Sequence, residues 1–381
     1  MFSLLLTVLY LSFISMGLPD SLLGAAWPSM YPQLHVPVSF AGILSLMISG
    51  GTVLSSLLAG RLLQRFGTGT VAACSVLLTA CALCGYASAG SFAALCFFSV
   101  PYGLGAGAVD TALNHYAAVH YPARHMNWLH CCWGIGCILS PYIMRLRLSA
   151  SADWHSGYRT VAVLQLMLTA VLFCSLPLWK HTKSEKTQGG SAAAFGAVLR
   201  LCGAKGSLAA FFCSCALEST AGLWAGSWLV QCRGFQPKNA AAAGALFYAG
   251  ITAGRLLAGS LSEHLEDRRM IRAGLCITAA GIGILMLRPD LAALCGLFIT
   301  GFGCAPVYPC MLHETPRRFS RESAQSLIGL QTASAYLGAA VMPPLTGILA
   351  EKTGMCFLPL YLAFYLFLCI IADRQPARAL I

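Results

Sequence analysis

Three acidic residues of this 381-residue sequence, Asp20, Asp110 and Glu218, lie well inside long apolar runs. An ionised carboxylate there costs about 2.5–3.5 kcal/mol even on permissive insertion scales, so each needs a reason to be present. A carboxyl withdrawn from water can hold a proton near neutral pH and release it when its surroundings change, which is the chemistry of proton coupling. The plainer alternative is an acid hydrogen-bonded between helices for structural ends. Asp110 has the stronger case for proton work. Gly103, Gly105 and Gly107 before it allow close helix approach, and Asn114 lies one turn on, on the same face. Asp20 follows Pro19, which predicts a kinked helix whose freed carbonyl faces a water-filled cavity rather than lipid.

Weaker candidates surround these acids. Trp224 and Trp228 follow Glu218 at spacings that do not put all three on one helix face, although an unwound helix would gather them. Aromatic rings beside polar acceptors suit the faces and hydroxyls of a sugar. His130 and Trp133 share a face three residues apart, and an imidazole there could relay protons. Gln331 and Tyr336 offer polar contacts. Packing or interfacial roles are the alternative for every one of them. Arg255, the single cation within a span, lies about two turns from the span's end, where it can snorkel or pair with Glu263, and reads as gating or structural. His35, His120, His125, His155, His181, His264 and His313 fall in loops or near helix ends without metal-ligand spacing, so no metal site is predicted. Nor is there a nucleophile beside a base, a phosphate-binding loop or a cofactor motif, which argues against an enzyme and against any cofactor.

Only 10% of the residues are charged and 57% are hydrophobic, and the mean hydropathy is strongly positive. Most of the surface must therefore face something other than water, and a lipid bilayer fits. The net charge of +11 does not point to nucleic acid, because Lys and Arg sit in short clusters between apolar runs. The cysteines, among them Cys74, Cys96, Cys174, Cys295, Cys369 and the Cys81/Cys84 pair, lie in apolar runs and read as small buried residues.

Apolar segments recur near 3–31, 38–60, 70–88, 92–119, 127–148 and 158–179, and again near 206–231, 239–261, 271–287, 291–313, 325–349 and 356–372. The expected fold is an all-α membrane protein of twelve transmembrane helices in two pseudo-symmetric six-helix bundles, 1–180 and 206–381. A polar linker, 181–205, joins them on the cytoplasmic side. With both termini cytoplasmic, the inner segments hold sixteen Lys and Arg and the outer ones seven, as the positive-inside rule requires. The stretch Gly51 to Leu62 aligns with Gly250 to Leu261 at an offset of 199, matching at the first Gly, at Leu-Leu-Ala-Gly and at the final Leu. Parallel halves around a midplane site are a recurring transporter plan.

Gly60, Leu62, Arg65 and Gly67, with Gln64 at the acidic position, resemble the G-x-L-x-D-R-x-G loop of the major facilitator superfamily, and Gly259, Leu261 and Glu263 keep part of it in the second half. The resemblance implies gating roles for Gly60, Arg65 and Gly67, with a gating ion pair weakened by Gln64. Gly103-x-Gly105-x-Gly107-x-x-Asp110-x-x-x-Asn114 is similar to the fucose-permease-like branch. So are Gly17-Leu-Pro-Asp20, Leu23-Gly-x-x-Trp27-Pro, Asn127-Trp-Leu-His130-x-x-Trp133-Gly-x-Gly136 with Pro141, Gly301-Phe-Gly-x-Ala-Pro306-x-Tyr-Pro309, and Thr315-Pro-x-Arg-Phe. That branch contains proton-coupled sugar symporters. The resemblance implies a coupling carboxylate at Asp110 and a second substrate or proton residue at Asp20.

The expected function is alternating-access uptake of a sugar or similar small polar solute, driven by protons, by a monomer in the plasma membrane. Asp20, Asp110 and Glu218 form the ionisable set. Asn114, His130, Trp133, Trp224, Gln331 and Tyr336 are the substrate candidates. Proton-coupled efflux of a drug-like or metabolic compound and a non-transporting solute sensor remain the alternatives.

Overall fold

Long apolar runs form helices here because a chain in hydrocarbon must satisfy every backbone polar group within itself. The computed structural model describes residues 4–121, 123–151, 153–179, 201–262, 264–319 and 321–373, and every regular element among them is helical. The first half comprises α1 (Leu4–Asp20), α2 (Leu22–Gln33), α3 (Phe40–Phe66), α4 (Thr68–Tyr86), α5 (Phe92–His120), α6 (Ala123–Ser151) and α7 (Trp154–Ser175). The second comprises α8 (Ala204–Arg233), α9 (Pro237–Leu261), α10 (Asp267–Leu285), α11 (Asp290–Cys304), α12 (Val307–Arg318), α13 (Arg321–Thr353) and α14 (Leu358–Asp373). The break between α1 and α2 falls where Pro19 and Asp20 stand, and the break between α11 and α12 falls at Ala305-Pro306.

Counting α1 with α2 and α11 with α12, ten of these segments are long and apolar enough to cross a bilayer. The fifth and ninth places in the order belong to α6 and α10, which are more polar. Helix α6 carries His125, His130, Arg145 and Arg147, and α10 opens with Asp267, Arg268, Arg269 and Arg272. Side chains such as Leu57 at 78% exposure, Phe97 at 71% and Leu291 at 70% form an apolar exterior that suits lipid, not water. The cysteines depart from expectation. Cys74, Cys81, Cys84, Cys174 and Cys295 are exposed, whereas Cys369 is buried. An apolar run in a bilayer has a lipid face as well as a packed one, and a thiol is tolerated on either.

The chain divides into two compact units, one within Met1–Ser184 and Ala225–Tyr248, the other within Glu185–Trp224 and Ala249–Ile381. The boundary thus passes through α8 and α9, and most of the expected linker, 180–200, lies outside the described residues. In the first unit α5 packs on α3 and α4, α1 on α6, and α4 on α7. Leu9, Phe13, Ala72, Leu113, Leu129 and Leu172 belong to its core. In the second unit α10 packs on α11, α12 and α14.

The internal repeat is visible in the packing. Gly51 of α3 lies against the Gly103 backbone of α5, with a Cβ position only 3.1 Å from it. Gly250 of α9, 199 positions on, lies against Phe298 and Phe302 of α11. Thr79 of α4 crowds Gly105 of α5, and Thr278 of α10, again 199 positions on, crowds Gly303 of α11. Equivalent helices cross through equivalent small residues in the two halves.

Candidate functional site

Helix α1 presents Phe13, Gly17 and Asp20 along one face to α6. A Cβ on Gly17 would stand 2.0 Å from the Trp133 carbonyl oxygen, and one on Gly136 would stand 2.0 Å from that of Ile14, so only paired glycines allow this approach. The closeness lets the Trp133 indole Nε1 donate to Asp20 Oδ2 at 2.7 Å. His130, one turn before Trp133, meets Phe13 edge-on at 5.5 Å. Ser21 donates to the Cys137 carbonyl at 2.8 Å, and Ser15 and Gln165 exchange hydrogen bonds of 2.6 and 2.7 Å, which pin the same helix to α7. Gly17 to Pro19 and Ser21 to Trp27 are buried, yet Asp20 itself is exposed. A carboxyl at the break of an apolar helix thus reaches solvent-accessible space while its neighbours on the chain do not.

Asp110 is placed by the glycine run before it. Gly103 and Gly107 seat α5 against the Ile48 and Thr52 carbonyls of α3, and Gly105 seats it against α4. The Asn114 amide donates to Asp110 Oδ1 at 2.8 Å and to the Asp110 carbonyl at 3.0 Å. Its own Oδ1 is buried and, among the described residues, has no hydrogen-bond partner, an uncommon and costly state for a carboxamide oxygen. Asp20 and Asp110 are close enough to interact electrostatically, and Tyr102, buried on α5, is within the same reach of Asp20. Among the described residues neither carboxylate forms an ion pair. The structure therefore joins Asp20 to Trp133, leaves His130 a turn away against Phe13, sets Asp110 with Asn114 within electrostatic reach of Asp20, and adds Tyr102, whose place two turns before Asp110 is the signal that would have found it.

In the second unit Glu218 of α8 faces Arg255 of α9 at 3.7 Å, each side chain about a quarter exposed (23% and 25%). Cys215 and Cys304 lie within electrostatic reach of this pair. Helix α8 runs unbroken from Ala204 to Arg233, so no unwinding gathers its tryptophans around Glu218. Trp224 is fully buried and donates to the Pro343 carbonyl at 2.9 Å. Trp228, also buried, has the Arg233 guanidinium over its ring at 5.0 Å. Gln331 is fully buried, donating to Ser207 Oγ at 2.7 Å and accepting from Thr315 Oγ1 at 3.0 Å, while Tyr336 is exposed.

At the joint of α3 and α4, Gly67 has φ 77°, a left-handed backbone that favours glycine. Gly60 and Arg65 are exposed, with Arg65 over the Phe66 ring at 5.3 Å. Glu263 lies outside the described residues. Farther along, a charge network absent from the sequence-based expectations joins α10, α12 and α14. Asp267 Oδ2 accepts from His313 Nδ1 at 2.7 Å and from Arg317 at 3.3 Å. Glu314 lies 3.3 Å from Arg268 and 3.8 Å from Arg318, and Arg318 is 3.5 Å from Asp373. Its signal was the run of opposite charges at facing helix ends.

The Major Facilitator Superfamily model matches residues 9–312 and 207–373. An uncharacterized transporter of Sinorhizobium fredii, y4wD, is 26% identical over 364 residues, covering 89% of this chain and 90% of that protein. An MFS-type transporter of Yersinia pestis is 24% identical over 133 residues, 35% of this chain and 34% of its own. Among solved structures, a mutant of the nucleoside transporter NupG superposes with a TM-score of 0.75 at 15% identity, covering 97% of this chain and 98% of that one. An inward-facing, occupied bacterial homologue of the human lysosomal transporter Spinster superposes with a TM-score of 0.73 at 13% identity, covering 98% and 97%. At those identities the likeness is one of fold. These relatives are transporters, not enzymes. With a family model spanning nearly the whole sequence, an apolar exterior and two halves crossing through equivalent residues, the chain is an integral membrane transporter that belongs to the major facilitator superfamily.

Proposed function

We propose that this transporter takes up a sugar or a similar small polar solute together with protons, by alternating access, through two bundles, 1–180 and 206–381, joined by the 181–205 linker. It acts as a monomer in the plasma membrane with both termini in the cytoplasm. The observation that carries the proposal is the pair of carboxylates Asp20 and Asp110, set in apolar helices within electrostatic reach of each other and held, among the described residues, by the neutral donors Trp133 and Asn114 rather than by a cation. Neutral donors tolerate both the charged and the protonated acid, so each group can gain and lose a proton without abandoning a salt-bridge partner. Two nearby carboxylates also disfavour double ionisation, which favours binding of at least one proton.

Asn114 Oδ1, unpartnered among the described residues, is an acceptor for a solute hydroxyl, and Trp133 supplies an aromatic and polar surface beside Asp20, with His130 one turn away on the same helix. Glu218 enters the same scheme differently. Its charge is opposed by Arg255, so in this scheme a proton on Glu218 weakens the attraction between the two. Trp224 and Gln331 spend their polar groups on Pro343, Ser207 and Thr315, which suits them to holding helices in register more than to meeting solute.

Proteoliposome uptake of a panel of monosaccharides and polyols, with and without an inward proton gradient, tests the proposal in wild type and Asp110→Asn. Gradient-driven uptake that becomes gradient-independent in the variant is the expected result. Absence of gradient-dependent uptake for every panel member removes the sugar-import reading.

A further inference from the structure

The structure assigns His155 as a proton-binding site separate from the intramembrane carboxylates, one whose bound proton ties the start of α7 to the connection between α4 and α5 in the first unit. This inference does not rest on the transport reading above.

Asp153 caps the N-terminus of α7, accepting from the His155 backbone N–H at 3.0 Å. The same oxygen, Oδ1, lies 2.6 Å from His155 Nδ1, and the other ring nitrogen, Nε2, lies 3.1 Å from the Ala89 carbonyl oxygen in the connection between α4 and α5. A carboxylate and a peptide carbonyl are both acceptors only. The ring can bond to both at once only as the imidazolium, with a proton on each nitrogen; a neutral ring must turn a lone pair toward one of them. The Asp153 carboxyl is not the alternative seat of that proton. Burial works to raise it, but the hydrogen bonds from the His155 ring and backbone, followed by the charges of His155 and Arg159, hold it below the usual carboxylate range.

The ring also has an aromatic neighbour. It stacks on Trp154 with centroids 3.6 Å apart and planes 23° from parallel, a geometry that suits a cation over an indole face. Trp154 is fully buried and donates its Nε1 hydrogen to Gln33 Oε1 at 2.8 Å, at the C-terminal end of α2. One proton on His155 thus links the start of α7 to the α4–α5 connection, while Trp154, through its own bond to Gln33, holds the same helix start to the end of the α1–α2 pair that carries Asp20. Among the described residues the charged groups recorded at this cluster are Asp153 and Arg159. The α4–α5 connection presents the neutral Ala89 carbonyl, α2 the neutral Gln33, and the end of α6 the hydroxyl of Ser151, which pairs with Ser156 at 3.3 Å.

The test uses the full-length protein in detergent micelles, its nine histidines labelled with 15N in the ring and followed by NMR from pH 5.5 to 8.5. The His155 signal is identified as the one lost in His155→Gln or, should that variant not fold, as the one displaced by the altered ring current in Trp154→Phe. Two protonated ring nitrogens at pH 5.5, loss of one as pH rises, and earlier loss in Asp153→Asn are expected. Thermal melts over the same range add a second reading. A bound proton that stabilises the fold makes the wild-type melting temperature fall as protons are withdrawn, with a component absent from His155→Gln. A ring singly protonated at pH 5.5, a titration indifferent to Asp153→Asn, or identical melting profiles for wild type and His155→Gln would each overturn the assignment.

Discussion

Gly17→Ala is a one-carbon change whose consequence can be worked from the geometry of the α1–α6 contact. The added Cβ would stand 2.0 Å from the Trp133 carbonyl oxygen and 2.8 Å from the Cys137 backbone nitrogen. Neither is a flexible side chain, and ordinary contacts of this kind begin near 3.4 Å, so the two helices must part by more than about 1 Å. The Trp133–Asp20 hydrogen bond, now 2.7 Å, then exceeds bonding distance. Overpacking of this kind costs about 1–3 kcal/mol, and losing a hydrogen bond to a charged group costs a further 1.5–3 kcal/mol or so. The control is Gly50→Ala on α3, where nothing among the described residues lies within 4 Å of the added carbon. There the change is expected to be neutral or, through better helix propensity, stabilising by up to about 1 kcal/mol. Thermal melts of the purified protein, read by retention of the monodisperse gel-filtration peak, compare the two. A Gly17→Ala protein that melts with Gly50→Ala and the wild type would refute the argument that glycine contact places Asp20.

Gln165→Leu strands the Ser15 hydroxyl and carbonyl in a buried contact and is expected to destabilise by about 1–3 kcal/mol, measured in the same melts. In a double-mutant cycle on Glu218→Gln and Arg255→Met, the double variant is expected to be more stable than the two single losses added together, by about 0.5–3 kcal/mol; strict additivity would show that the 3.7 Å pair contributes nothing. Asp153→Asn is expected to remove an acid-side loss of stability. A carboxyl held below its ordinary range stabilises the fold above the unfolded value near pH 3.9 and ceases to do so as pH falls through the lowered one. The effect is expected to stay under about 1 kcal/mol because the Asp153 side chain is 42% exposed, and acid titration of the melting temperature reads it. Asp267→Asn is expected to loosen both His313 and Arg317 together, which faster amide hydrogen exchange at the C-terminal end of α12 would report.

Much of this transporter is legible in its residues alone. A chain with so few charges and so many long apolar runs has no low-energy state in water, and hydrocarbon permits only internally bonded helices, so class and helix order follow from composition and spacing. The offset of 199 between the halves marks the very glycines and threonines at which equivalent helices cross. Pro19 announced the break at Asp20, and the three-residue spacing of His130 and Trp133 announced a shared face.

Partnership across helices is what tertiary structure alone decided. Helical periodicity says which residues share a face but not which helix that face meets, so Arg255 could not be matched to Glu218, nor Asp267 to His313, Arg317 and their neighbours. The same limit hid whether Trp224 and Gln331 had polar groups to spare; packing committed those groups to Pro343, Ser207 and Thr315. It also hid which cysteines face lipid, since an apolar run looks alike on its buried and its exposed side. His155 read as a loop histidine until folding brought a carboxylate and a carbonyl, 64 residues apart in the sequence, to its two nitrogens. The energy of such a group depends on neighbours at bonding distance, and those are set by the close approach of helices that are remote along the chain.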